Sequence, residues 1–287
     1  MQEIAPNVFI ETGYAGVTLG ALSFPHGLIQ IDAPILAENI RSWQSTLMNL
    51  GGGVDRLLIN LDAHTDRLLG VRSMESTVIA HADITKAFKS RPAIFKGHSF
   101  VTGGEWELYD NLGNIRWAHP ALTFTDELTI NWNDTPLVLK NRPGPCKGSI
   151  WADLPQQRII FLGDAVMPDQ PPFLENANLD TWLETLAILS KAKFREYIFI
   201  SSRCGLVHHE DIHRQITILK KVRRKLNSLA KRKATLSETQ KCIPSLLENF
   251  EIPKDRKELY YHRMLWGLSQ YYKKNYLTPK VAGGRKN

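Results

Sequence analysis

Three short apolar segments of the chain each end in polar side chains, and this pattern constrains the fold more than any other feature of the sequence. The segments read "LLINLDAHTDR" from residue 57, "IIFLGDAV" from residue 159 and "YIFISSRCG" from residue 197. Short, continuous apolar runs are typical of strands that are buried on both faces of a sheet. Because helical segments alternate with these strands, we predict an α/β fold with a pocket beyond the carboxyl ends of the strands.

The polar cluster after the first apolar segment consists of ligand-type side chains. Asp62, His64 and Asp66 follow one another closely at the end of the run, and carboxylates and imidazoles are common metal ligands. The next residue is Arg67, whose guanidinium group stays cationic and cannot bind a metal. Two interpretations follow: a metal site with an unusual ligand set, or a site in which Arg67 pairs with Asp66 or Asp164 in place of a metal.

The remaining segments predict further strands and helices. Residues 35–50 carry apolar side chains at intervals of about one helical turn, and three glycines follow them, which predicts a helix. Residues 121–144 alternate like a β-hairpin. Residues 212–229 carry one apolar stripe at helical spacing, and a last helix rich in tyrosine and tryptophan is predicted over roughly 255–275.

Charge is distributed unevenly along the 287 residues, whose net charge is +7. Residues 1–210 are mildly acidic, whereas residues 211–287 carry 19 lysines and arginines against 6 acidic residues. A basic segment of this kind is typical of a solvated helical face, and it also suits a contact with nucleic acid. The three cysteines and the absence of a signal-peptide pattern or a bilayer-spanning apolar stretch predict a cytoplasmic protein without a membrane contact.

The order of these motifs resembles the metallo-β-lactamase superfamily, whose members form a four-layer αββα sandwich and bind one or two metals, usually zinc. The signature loop of that superfamily is His-x-His-x-Asp-His, and "DAHTDR" resembles it with His64 and Asp66 in place. Asp62 and Arg67 stand at the first and last histidine positions of the loop. The segment "GPCKGSIWADLPQQRIIFLGDAV" resembles the Gly-His-Thr-Pro-Gly-Ser segment, the hairpin and the metal-bridging aspartate.

The later positions of the resemblance keep some ligands and lose others. Asp164 matches the bridging aspartate, Pro145 stands at a histidine position, and Cys204 stands at the late histidine position. The resemblance covers about residues 5–225. It implies a four-layer αββα sandwich over residues 1–225, followed by a basic, aromatic-rich helical extension over residues 226–287.

The resemblance also implies a reduced metal site, because Arg67 and Pro145 replace two ligands. We expect zero or one divalent metal, most readily zinc, with manganese or iron as alternatives. The implied ligands are Asp62, His64, Asp66, Asp164 and Cys204. Asp66 is the implied catalytic residue that orients a metal-bound water, and Lys147 stabilises developing negative charge. Arg67, His81 and Cys146 are expected to line the pocket.

Three functions are compatible with this sequence. The first is a mononuclear metal-dependent hydrolase that cleaves an ester, thioester or lactone-like bond in a small-molecule substrate. The second is an inactive pseudoenzyme that binds a small ligand or regulates, and it predicts an ion pair between Arg67 and a neighbouring carboxylate. The third is nucleic-acid association through the basic C-terminal segment. The aromatic residues of the last helix also suit a homodimer through the C-terminal helices.

Overall fold

The computed structural model describes residues 1–97, 102–110, 112–132 and 134–278. Its strands, in chain order, are β1 (Gln2–Ala5), β2 (Val8–Glu11), β3 (Leu19–Phe24), β4 (Gly27–Ile31), β5 (Asp55–Ile59), β6 (Thr77–His81), β7 (Ile94–Lys96), β8 (Gly113–Arg116), β9 (Leu122–Phe124), β10 (Glu127–Ile130), β11 (Leu137–Asn141), β12 (Ile150–Leu154), β13 (Ile159–Phe161), β14 (Ile198–Ser201) and β15 (Gly205–Val207). Its α-helices are α1 (Ala37–Met48), α2 (Thr65–Leu68), α3 (Ala82–Lys89), α4 (Leu179–Leu189), α5 (His209–Lys231), α6 (Ile243–Leu247) and α7 (Lys257–Tyr272).

Two large sheets contain most of these strands. The first sheet has seven strands in the order β1-β2-β3-β4-β5-β6-β9, and the second has six strands in the order β10 to β15. Strands β4, β5, β6 and β9 are parallel neighbours, as are β13 and β14. In the first sheet, Ile31 is aligned with Ile59 and Ile59 with Ile79. The carboxyl ends of these strands therefore lie at one edge, where the polar residues that follow them meet.

Alternating side chains divide the core into layers. Ile159 and Phe161 of β13 belong to the cluster between the two sheets, whereas Ile160 packs on the helical side. Trp43 of α1 is buried against the outer face of the first sheet, and Trp182 of α4 against that of the second. Truncating either tryptophan to alanine would cost about 3–5 kcal/mol. The layers run helix, sheet, sheet, helix, which confirms the predicted four-layer αββα sandwich.

Close contact between the sheets depends on a glycine of β3. A Cβ atom on Gly20 would lie 2.6 Å from the Phe161 ring and 2.8 Å from Ile31. Both distances are shorter than van der Waals contact allows, so a side chain here would push the sheets apart. The sequence segment "VTLGALSF", predicted as a strand, therefore carries its glycine at a point where the two sheets approach each other closely.

The C-terminal helices pack onto the second sheet rather than projecting from it. Helix α5 runs without interruption through residue 225, and α6 and α7 share one buried cluster with α4, α5 and the sheet. The boundary at 225/226 stays a prediction. Helices α1 and α7 confirm the predicted helices over 35–50 and roughly 255–275. In the described ranges, no helix combines the length and the hydropathy that a transmembrane helix needs, and a cytoplasmic location stays a prediction.

Candidate ligand-binding site

The polar ends of four strands meet in a buried charged network between the two sheets. Asp32 follows β4, Asp62 follows β5, Asp164 follows β13 and Arg203 follows β14. The three carboxylates are almost inaccessible to solvent, although burying a charge without a partner costs several kcal/mol. Each of them must therefore find a cation or a hydrogen-bond donor inside the protein.

Arg67 provides the first cation of the network. Helix α2 begins directly after the loop that carries Asp62, so its first turn brings Arg67 back over that carboxylate. Nε donates to Asp62 Oδ1 at 3.0 Å and Nη2 to Asp62 Oδ2 at 2.9 Å. Nη2 also pairs with Asp164, and Asp32 Oδ2 lies 3.6 Å from Nε. A planar guanidinium group can bind a carboxylate through two parallel hydrogen bonds, as it does here with Asp62. Because the same group also contacts Asp164 and Asp32, Arg67 joins three strand ends.

Arg203 provides the second cation. Its Nε donates to Asp164 Oδ1 at 2.9 Å and its Nη1 to Asp66 Oδ2 at 2.8 Å. Its Nη2 lies 2.8 Å from Nδ1 of His64. A guanidinium group can only donate, so Nδ1 of the imidazole accepts and the ring proton lies on Nε2. The two arginines together contact every carboxylate that the sequence predicted as a metal ligand.

Asp66 also joins this network to the loop before β8. Its carboxylate accepts hydrogen bonds from the backbone N–H groups of Glu105 at 3.1 Å and Trp106 at 2.9 Å. Glu105 in turn pairs with Arg256 at 2.8 Å. The network therefore fixes the position of a loop that borders the cavity described below.

The C-terminal helix α7 inserts an arginine beside the network. The guanidinium carbon of Arg263 lies 4.0 Å from the centre of the Phe173 ring, and that of Arg203 lies 4.5 Å from it. The Phe173 ring also packs against His64, with a centroid distance of 4.1 Å. Arg263 donates to the Gly103 carbonyl at 2.8 Å and to Gln170 Oε1 at 2.7 Å. A residue of the helical extension therefore fixes two loops of the site.

The buried environment shifts the pKa values of the network in opposite directions. Burial raises the pKa of Asp32 to about 7, although Arg67 lowers it in part. Burial and the positive charge of Arg203 lower the pKa of His64 to about 4. Burial alone would raise the pKa of Asp164, but Arg203 and Arg67 outweigh burial and hold that pKa well below its usual range. For Asp66, burial is likewise outweighed, mainly by Arg203, and the pKa is lowered.

The substitution His64→Gln is expected to make the free energy of unfolding fall more steeply with rising pH, between about pH 4.5 and 6.5, than it does in the unmodified chain. The folded state keeps His64 neutral, while the unfolded state takes up a proton near pH 6.5, so this residue makes stability rise with pH. Asp32 makes stability fall as pH rises, because the folded carboxyl keeps its proton to about pH 7 and the unfolded one loses it near pH 3.8. The two contributions, each about 1.4 kcal/mol per pH unit at most, have opposite signs and offset each other in this window.

Urea unfolding at several pH values measures these slopes. The free energy of unfolding of His64→Gln should fall as pH rises through this window, and that of Asp32→Asn should rise. Below about pH 4, all forms should lose stability as Asp66 and Asp164 become protonated, because their pKa values are lowered in the folded state. Equal profiles for the two variants would show that the assigned protonation states are wrong.

The donor set of the network does not fit a metal ion in this arrangement. Guanidinium nitrogens already bond to carboxylate oxygens of Asp62, Asp66 and Asp164 and to the Nδ1 atom of His64. Among the described residues, no group of three or more His, Cys, Asp or Glu side chains is arranged to hold a metal. A permanent cation at the centre of the carboxylates also repels a second one.

The structure brings most of the predicted site residues together and places two of them elsewhere. Cys204 turns away from the carboxylates, its Sγ lies 3.9 Å from Gln170 Nε2, and burial raises its pKa to about 11. His81 accepts from Asp83 N as the N-cap of α3, and its Nε2 bonds the Thr125 carbonyl. The residues Asp62, His64, Asp66 and Asp164 lie in the network, and Arg67 joins them.

A cavity of about 500 Å³ opens in front of this network. His64 and Phe173 lie at its inner end, and the predicted site residues Cys146 and Lys147 line its wall. Cys146 contacts Ser149 Oγ at 3.2 Å, and burial raises the pKa of its thiol to about 11. The thiol is therefore protonated at neutral pH, which makes it a poor nucleophile.

The sequence interpretation missed Arg203 and Arg263. The signal for Arg203 was its place directly after a buried strand, one residue before the cysteine that was matched to a ligand position. Successive side chains at a strand end point in different directions, so a shift of one residue decides which of them enters the pocket. No local signal marks Arg263, because it reaches the site from a helix far away in the chain.

Comparison with known proteins agrees with this architecture. No protein-family model matches the sequence, and no curated protein matches it either. A metallo-beta-lactamase from Pontibacter korlensis is 18% identical, with a TM-score of 0.59 over 76% of this chain and 97% of that one. A metallo-beta-lactamase family protein from Thermus thermophilus is 15% identical, with a TM-score of 0.61 over 95% of this chain and 94% of that one.

A third solved structure is longer than this chain. The inverting sec-alkylsulfatase Pisa1 from Pseudomonas sp. is 14% identical, with a TM-score of 0.68 over 95% of this chain. The chain spans 49% of that enzyme. At these identities the likeness concerns the fold, and it agrees with the two packed sheets, the outer helices and the strand ends described above. The chain has the fold of the metallo-β-lactamase superfamily.

Proposed function

We propose that this chain is a ligand-binding protein that uses the pocket of the metallo-β-lactamase fold without a metal. The observation that carries the proposal is the double guanidinium network. Arg67 bonds Asp62 and Asp164, and Arg203 bonds Asp66, Asp164 and His64. In this role the pair of arginines supplies, at any pH, the positive charge that buried carboxylates require.

Metal-dependent hydrolysis would require a different arrangement of the same residues. A metal-activated hydroxide needs a metal held by at least three protein ligands with one open position. Cleavage of an ester, thioester or lactone-like bond by that route requires guanidinium groups to leave the carboxylates. Their removal from a buried network costs several kcal/mol per broken charge pair, so a pocket that binds without metal chemistry accounts better for the geometry.

The proposed binding pocket combines rigid walls with an apolar inner end. Phe173 packs against His64 and against the guanidinium groups of Arg203 and Arg263, which fixes the ring. The loop before β8 is tied to Asp66 through two backbone N–H groups. Such preorganisation reduces the conformational entropy that the protein loses when a ligand binds.

Thermal unfolding with and without zinc tests the proposal. A ligand that binds only the folded state raises the unfolding temperature in proportion to ln(1 + [L]/Kd). We expect the unfolding temperature of the unmodified chain to stay the same in EDTA and in excess zinc. A zinc-dependent rise in the unmodified chain would overturn the proposal.

The variant Arg67→His is the matched positive control. It removes the guanidinium group from Asp62 and Asp164 and puts a ligand-type side chain at the same position. We expect zinc to raise the unfolding temperature of this variant. The assay then demonstrates that it detects a metal in this network when the arginine is absent.

A further inference from the structure

The cavity is lined by cations that the charged network does not use. Four basic side chains line it, namely Lys86, Arg91, Lys147 and Lys274. Outside the network, the carboxylates that line it are Asp83 and Glu175. Lys86 pairs with Asp83, and burial raises the pKa of Glu175, which weakens it as a counter-charge. Outside the network, positive charge therefore exceeds negative charge along the cavity lining.

Arg91 is held in place without a carboxylate partner in the described part of the chain. Its Nη2 donates to the Ala63 carbonyl at 2.6 Å, and its guanidinium carbon lies 4.9 Å from the centre of the Trp117 ring. Its Nη1 is buried and has no hydrogen-bond partner among the residues that the structure describes. Leaving a charged donor buried and unpaired is costly. An anion that accepts from this nitrogen would remove the cost.

Lys147 adds a second cation on the same wall. It lies on the loop before β12, next to Cys146, and its side chain is exposed at the mouth. Its positive charge contributes to the lowered pKa of Asp83, although Lys86 contributes more. The carboxylates deeper in the cavity, Asp62 and Asp164, are bonded to Arg67. An anionic group is therefore favoured beside Arg91 and Lys147, and the carboxylates of Asp62 and Asp164 are already neutralised by Arg67.

The inner end of the cavity is suited to an apolar group. Phe173, Trp106 and Pro145 line it together with His64. Among these, Phe173 and Trp106 are almost completely buried. A volume of about 500 Å³ is within the range of small-molecule pockets.

We infer that the cavity binds a small organic anion, whose phosphate or carboxylate group is held by Arg91 and Lys147 while its apolar part contacts Phe173. The inference rests on the proposed function and defines the chemical class of its ligand. A guanidinium group and an ammonium group together provide the charge-assisted hydrogen bonds that both anions accept. The fixed position of Arg91 means that little side-chain entropy is lost when the anion binds.

Calorimetric titration of the full chain with three probes tests the inference. The probes are phenyl phosphate, benzoate and phenol, which share the aromatic ring and differ in charge. We expect at least one of the two anions to bind about tenfold or more tightly than phenol. The anion that binds more tightly identifies the ligand's charged group as phosphate or carboxylate.

Variants of the two cations locate the site. Arg91→Met and Lys147→Gln should each weaken anion binding about tenfold or more. Lys220→Gln, at an exposed lysine of α5 away from the cavity, should leave it unchanged. Because Lys147 is exposed, its variant remains informative even if Arg91→Met fails to fold.

Equal binding of phenol and the anions, or equal anion binding by all variants, would overturn the inference. Either result leaves the response of the unfolding temperature to zinc untouched, so it is distinguishable from a failure of the metal-independent pocket itself.

Discussion

Replacing Arg67 by alanine is expected to lower the free energy of unfolding by about 3–5 kcal/mol, the range for breaking a buried ion pair from one side. The side chain is completely buried and contacts Asp62, Asp164 and Asp32. Without it, these carboxylates stay buried with fewer partners, since the ion pairs of Arg203 are formed with Asp66 and Asp164. The measurement is urea unfolding at neutral pH in the presence of EDTA, so that no metal can replace the lost cation.

The matched control is Arg223→Ala. Arg223 forms an exposed pair with Asp180 on the surface of α5, and exposed pairs contribute about 1 kcal/mol or less. If Arg67→Ala lowers the free energy of unfolding no more than this control does, something other than the guanidinium group neutralises the carboxylates.

Truncation after residue 235 is expected to prevent cooperative folding. The removed segment contributes several almost completely buried side chains to the cluster on the second sheet, namely Ile243, Leu246, Met264, Leu268 and Tyr272. Removing one such side chain costs about 2–5 kcal/mol, and a domain of this kind is stable by about 5–15 kcal/mol in total. The truncation also removes Arg263 from Phe173. Circular dichroism during urea unfolding should therefore show no sharp transition for residues 1–235.

A variant on the exposed side of α7 separates the effect on folding from the effect on association. Trp266 is 37% exposed, so Trp266→Ala should fold normally, and its size on gel filtration tests the predicted homodimer through the C-terminal helices. A sharp, native-like transition of the truncated chain would contradict the account, because the extension would then be an independent domain. That outcome would support the prediction that the C-terminal helical segment is an extension separate from the main domain.

The fold was predictable because its signals are local. Short apolar runs bounded by turns predict buried strands, and the alternation of strands with amphipathic segments predicts the layered α/β architecture. The network was predictable in part for the same reason. Asp62, His64 and Arg67 lie within one loop and helix, and the expected pair of Arg67 with Asp164 is present in the structure.

The contacts of Arg203 and Arg263 join residues that are far apart in the chain. Asp66, one of the two expected partners of Arg67, is bonded instead by Arg203, which lies 137 positions further along the chain. Arg263 reaches its partner Gly103 across 160 positions. Sequence patterns report helical and strand periodicity, and they contain no distance between such residues. The sequence therefore could not decide between zero metals and one, because Arg203 and the carboxylates that it bonds were not identifiable as neighbours.

In the proposed function, the guanidinium groups of Arg67 and Arg203 neutralise carboxylates that a metal would otherwise bind. Elemental analysis of the full chain, purified without added metal and without chelator, measures this most directly. We expect no transition metal in a stoichiometric amount per chain, with Asp164→Ala giving the same result. One tightly held zinc, manganese or iron ion per chain, lost in Asp164→Ala, would contradict it.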